Sequence, residues 1–144
     1  MDLDGIPSAI GAAGTWTKKT DAWWLDASGA DPAVMARAML DAGARLVTMT
    51  AISVPEGEFR VIYHWDVEGR LLNTAVMTKE ETLPSISAIT PAADWIEREI
   101  HDYFAVKFTG RDLPPIFLAP EDPAGALRWN LRWEGPGKEG KGEG

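Results

Sequence analysis

Phe59-Arg60-Val61-Ile62-Tyr63-His64-Trp65-Asp66-Val67-Glu68-Gly69 alternates as a half-buried β-strand does. Phe59, Val61, Tyr63, Trp65 and Val67 fall on one side. Arg60, His64 and Asp66 fall on the other, and Ile62 is the single break. Glu68-Gly69 reads as a tight hairpin, which predicts a further strand from Arg70 to Thr78. Upstream, Pro55-Glu56-Gly57 makes a turn. Before it, Arg45 to Ser53 is rich in strand-forming residues but does not alternate cleanly, which suggests cover on both faces.

Outward from these three strands, the pattern changes to helix. Asp31-Pro32 supplies an N-cap and a first-turn proline, Val34, Met35, Ala38, Met39 and Ala42 form one stripe, and Gly43 ends it. Ala22 to Ala27 fits a short strand. Residues 1–20, rich in Gly, Ala and Ser and without a period, read as a loose N-terminal arm. Downstream, Leu83 to Ile89 is extended or irregular. Thr90 and Pro91 then open a second helix that runs to about Ala105, and Val106-Lys107-Phe108 leads to a turn at Thr109-Gly110. Pro114, Pro115, Pro120 and Pro123 rule out a central strand or long helix after Arg111. The expected architecture is α+β: a mostly antiparallel sheet with helices on one face and an irregular C-terminal segment. A single domain is expected over 21–110, then an irregular Pro-rich segment over 111–133 that either folds back on the domain or acts as a docking arm, and a tail without core-forming residues, expected to be disordered, over 134–144.

Composition narrows the function. The chain has 144 residues and a formal net charge of -8, which argues against a nucleic-acid partner. It has no cysteine, so thiol chemistry, disulfides and an iron–sulfur cluster on its own thiolates are excluded. It has two histidines, His64 and His101, and lacks a dinucleotide fingerprint and a P-loop. No apolar run approaches the length of a membrane-spanning helix, and the acidic start does not resemble a secretory signal. A cytoplasmic location is expected. Of seven tryptophans, Trp129 and Trp133 are the interface candidates, repeated four apart in Leu127-Arg128-Trp129 and Leu131-Arg132-Trp133.

The second helix carries the charged cluster. At about 100° per residue, Ala92, Trp95, Ile96, Ile100 and Tyr103 form an arc with Glu99 in its middle. Glu97, His101 and Asp94 lie opposite. A carboxylate within an apolar arc needs a partner. Arg45, Arg60, Arg111 and Arg128 are candidates within the chain, and another protein is the alternative. Glu97 and Glu99 diverge by about 200° and do not flank one bond. Glu97–His101 reads as a solvated contact, and Asp94–Arg98–Asp102 as an intrahelical ion-pair ladder. Two rival functions follow from the residues alone: a carboxylate-dependent hydrolase with Glu99 as a raised-pKa acid, and a Trp-rich module that binds a small ligand.

Pro84-Ser85-Ile86, then Pro91-Ala92-Ala93-Asp94-Trp95-Ile96-Glu97-Arg98-Glu99-Ile100-His101-Asp102-Tyr103-Phe104, then Phe108-Thr109-Gly110, resembles the 30 kDa subunit family of respiratory NADH:quinone oxidoreductase (complex I). That family includes the small subunit of membrane-bound energy-converting [NiFe] hydrogenases. Ala105 stands where the family has Gly, Arg111 where it has His or Lys, and Pro115 where it has Arg, which leans toward a hydrogenase-type or divergent complex. The resemblance implies a non-catalytic subunit with no cofactor of its own. Its partners would be a large subunit (49 kDa-like or hydrogenase-like) and a small iron–sulfur subunit, which hold the iron–sulfur clusters or [NiFe] centre. It would sit peripherally on the cytoplasmic side of the membrane. Trp95, Glu97, Arg98, Glu99, Asp102 and Arg111 are the motif and interface candidates, with Glu99 the buried one.

Overall fold

The computed structural model describes residues 3–55, 57–119 and 121–125. The strand read first is β4 (Phe59–Val67), central to a five-stranded sheet with β1 (Thr17–Lys18), β2 (Trp23–Asp26), β3 (Arg45–Ser53) and β5 (Arg70–Met77) in the order β1-β2-β5-β4-β3. Glu68 and Gly69 take φ of 53° and 83°. Positive φ at both positions is what a two-residue hairpin turn with the right twist requires. β3, β4 and β5 form an antiparallel meander, while β2 runs parallel to β5.

The register puts Leu46, Met49, Phe59, Val61, Tyr63, Trp65, Val67, Leu72, Val76 and Leu25 in one buried cluster. The three helices of the described residues join it: α1 (Ile6–Ile10) through Ile6 and Ile10, α2 (Pro32–Asp41) through Met35, Ala36 and Met39, and α3 (Ala93–Phe104) through Ala93 and Ile100. The helices therefore cover one face, as the alternation in β4 predicts. On the opposite face, a polar row crosses the sheet. His64 bonds Thr50 through one ring nitrogen (2.8 Å) and Asn73 through the other (2.6 Å).

Three expectations change. The uneven pattern of β3 does not reflect cover on both faces. β3 is an edge strand, and its register shifts between Leu46 and Thr48. A bulge there displaces the alternation by one residue and leaves Val47 exposed. Residues 3–20 are not a loose arm. They hold α1 and β1, buried Ile6 and Ile10, and a 2.8 Å bond from the Trp16 indole to the Leu3 carbonyl. Finally, the extended segments around α3 are strands. β6 (Thr82–Pro84) and β7 (Lys107–Thr109) pair in parallel, with Leu83 opposite Phe108. Three residues each is too short for alternation to register in sequence. The segment from Arg111 to Ala119 has no helix or strand, as its prolines require. Trp129, Trp133 and the tail 134–144 lie outside the described residues.

Candidate functional site

β6, α3 and β7 form one parallel strand–helix–strand unit, and Glu97 of α3 ties its strand ends together. The Glu97 side chain is fully buried. Its Oε1 accepts from the Ser85 hydroxyl at 2.6 Å and its Oε2 from the Ile86 backbone N–H at 2.8 Å, just past the end of β6. Arg111, two residues past β7, approaches Oε1 at 3.3 Å. The same guanidinium pairs with Asp94 at 2.6 Å and donates to the Asp94 carbonyl at 3.2 Å. Burial pushes the Glu97 carboxyl above its ordinary value, and the Ser85, Ile86 and Arg111 contacts offset only part of that rise. The Tyr63 phenol points into the same core without a hydrogen-bond partner among the described residues. Burial, and secondarily the charge of Glu97, pushes its pKa upward.

The opposite side of α3 grips the Pro-rich segment. Asp102 is 1% exposed although it faces away from the sheet. Its Oδ2 accepts from the N–H groups of Ile116 and Phe117, both at 2.9 Å. Burial raises this carboxyl, but the N–H groups of Phe117, Ile116 and Leu118 outweigh it, and the net shift is downward. Arg98 donates from Nε to the Pro114 carbonyl at 3.0 Å. The Gly125 N–H reaches the Asp102 carbonyl at 2.8 Å. Prolines leave carbonyls without adjacent N–H groups, and a helix face with one cation and one anion supplies both kinds of partner.

The helix is thus rotated from the phase expected. Its core stripe is Ala93, Glu97 and Ile100, with Ile96 and Phe104 partly buried. Trp95 is 63% exposed and Glu99 is exposed. The expectation of a buried Glu99 is therefore wrong. Counting Trp95 and Tyr103 as core swung the apolar arc toward Glu99, whereas the helix buries a charged residue whose partners lie on other segments. Arg111, one of four candidates proposed for Glu99, is the partner of Glu97. The Glu97–His101 contact is also absent; the His101 ring instead bonds the Val106 carbonyl at 2.8 Å. Of the expected ladder, Asp94–Arg98 is present at 3.7 Å, and Asp102 is engaged elsewhere. On the surface of α3, a hydrolytic Glu99 loses the buried setting that reading depends on.

What α3 leaves outward is a stripe of Trp95, Glu99 and Tyr103, four residues apart. The Arg98 guanidinium lies 5.5 Å from the Trp95 ring centre, and Tyr103 stacks on Phe117 at 5.5 Å. Among the described residues, no group of three or more His, Cys, Asp or Glu could hold a metal ion, and no helix is long and apolar enough to cross a membrane.

The family model described as respiratory-chain NADH dehydrogenase, 30 Kd subunit, matches residues 30–136. A NADH-quinone oxidoreductase subunit of Jannaschia sp. is 41% identical over 70 residues, 45% of this chain and 34% of the relative. Its counterpart in Ruegeria sp. is 39% identical over 70 residues, 45% of this chain and 35% of its own length. The chain thus spans about a third of the length of the curated relatives it matches. A chain from the membrane-bound sulfane sulfur reductase, an archaeal respiratory membrane complex, aligns over 95% of this chain and 87% of itself at a TM-score of 0.71 and 20% identity. At that identity the likeness is one of fold.

Proposed function

Given that the chain belongs to the 30 kDa subunit family of respiratory-chain NADH dehydrogenase, we propose that it is a non-catalytic assembly subunit of a membrane-associated oxidoreductase complex, of the NADH:quinone oxidoreductase or energy-converting hydrogenase type. Its partners in this reading are the large subunit and the small iron–sulfur subunit, which carry the redox centres. It sits on the cytoplasmic side of the membrane through them.

One observation carries the reading. Glu97, Arg98 and Asp102 of the motif, and Arg111 beyond it, each bind this chain's own backbone or side chains. A general acid must reach a substrate proton, whereas Glu97 is sealed between Ser85, Ile86 and Arg111. These groups build a rigid shape.

The test is purification of the tagged full-length chain from membranes of its own host in mild detergent. The expected result is co-elution with larger subunits bearing iron–sulfur absorption, and no redox turnover by the chain alone. Elution as a lone chain, or turnover of a redox substrate by it, would overturn the proposal.

A further inference from the structure

The surface of α3 that the described residues leave uncovered has a definite chemistry. Trp95, Glu99 and Tyr103 recur every fourth residue, so they line one side of the helix over about 12 Å. The ends are aromatic. Trp95 is 63% exposed, and Tyr103 is extended by the ring of Phe117, itself 55% exposed. A carboxylate stands between them. The other charges of the helix are matched close at hand: Arg111 meets both Glu97 and Asp94, Arg98 meets Asp94, and Asp102 is held by backbone N–H groups. Among the described residues, the Glu99 carboxylate is therefore the charge this surface presents outward. Both rings have partners within the chain: Trp95 lies over the Arg98 guanidinium, and Phe117 stacks on Tyr103 while its backbone N–H is bound by Asp102. Two preset aromatic anchors lose little side-chain freedom on contact, the property of residues that dominate binding energy.

We propose that the Trp95–Glu99–Tyr103–Phe117 surface docks a segment of another subunit of the same complex, one that presents an Arg or Lys between apolar side chains. The cation meets Glu99 and the apolar groups cover the two aromatic ends. This rests on the assembly reading above and specifies the surface and the partner's chemistry. Charge complementarity selects this occupant over a second copy, because two copies would bring Glu99 toward Glu99 and each chain carries a net charge of -8.

The test places a photoreactive phenylalanine analogue at position 95 or 117 of the full chain in its own host, with crosslinked peptides mapped by mass spectrometry. A peptide of another subunit of the complex that contains Arg or Lys is expected. In parallel, Glu99→Arg lowers co-purification with the larger subunits by about tenfold or more, the scale of like charges facing across an interface. Glu99→Gln lowers it less, and acidic replacement of the crosslinked cation restores Glu99→Arg. Circular dichroism of both variants matches the parent, since Glu99 is exposed. Crosslinks confined to residues 126–144 of the same chain or to a second copy would overturn the proposal. So would normal co-purification of Glu99→Arg and Trp95→Ala. Failure of the unmodified chain to co-purify would remove the assembly reading as well, which separates the two outcomes.

Discussion

Glu97 and Asp102 are both sealed carboxylates on one helix, yet their environments act in opposite directions. Glu97 is held above its ordinary value by burial, and Asp102 below it by the N–H groups that outweigh burial. The folded state therefore takes up a proton at Glu97 more readily than the unfolded chain does. The contribution of Glu97 is complete at acid pH and declines as pH rises from the ordinary carboxylate value of 4.5 through the raised one. The destabilisation caused by Glu97→Gln is accordingly expected to be largest at acid pH and to shrink toward neutrality, read from urea unfolding at several pH values. Glu97→Ala is expected to cost roughly 1–3 kcal/mol, the scale of leaving the buried Ile86 N–H without its acceptor, since Arg111 keeps Asp94. Nearby, the unpartnered Tyr63 hydroxyl predicts that Tyr63→Phe leaves stability unchanged or raises it by up to about 1 kcal/mol in thermal unfolding. A clear loss would show that the hydroxyl is satisfied.

At the scale of elements, α3 is enclosed by the sheet on one side and the Pro-rich segment on the other. Asp102→Ala is expected to leave the Ile116 and Phe117 N–H groups without their acceptor. Their hydrogen exchange should speed up while exchange in β4 stays slow. The helix ends at Ala105 in the left-handed region, with φ 62°. A side chain there is strained, so Ala105→Gly is expected to raise stability by about 0.5–1 kcal/mol in chemical denaturation. The meander was legible because the period of two in β4 and the Glu-Gly turn agree. The helical phase of α3 was not. Hydropathy treats Glu97 as surface and Trp95 as core, while the satisfying groups of Glu97 come from Ser85, Ile86 and Arg111, which only the β6–β7 pairing brings together. Nor does a single-sequence pattern show that prolines downstream will cover Asp102.

For the whole molecule, the motif that identifies the family is mostly an internal brace. Glu97, Arg98 and Asp102 of that motif, together with Arg111, fix loops to a helix, and Trp95 and Glu99 are exposed among the described residues. The five tryptophans among the described residues divide in the same way. Trp65 is fully buried and bonds Thr74 at 3.0 Å, Trp16, Trp23 and Trp24 are half-buried, and Trp95 is exposed.

The parallel pairing of β2 with β5 has a kinetic meaning. Trp23 pairs with Leu72 across α2, β3 and β4, whereas β3, β4 and β5 pair through short turns. Closing a long loop costs entropy before any contact is gained. The meander is therefore expected to fold as an early unit, with β2 and the N-terminal segment docking late. In pulse-labelled refolding, amides of β4 and β5 in their shared ladder should gain protection before those of Trp24 and Leu25. The sheet would then close in time from its β3 side toward its N-terminal edge.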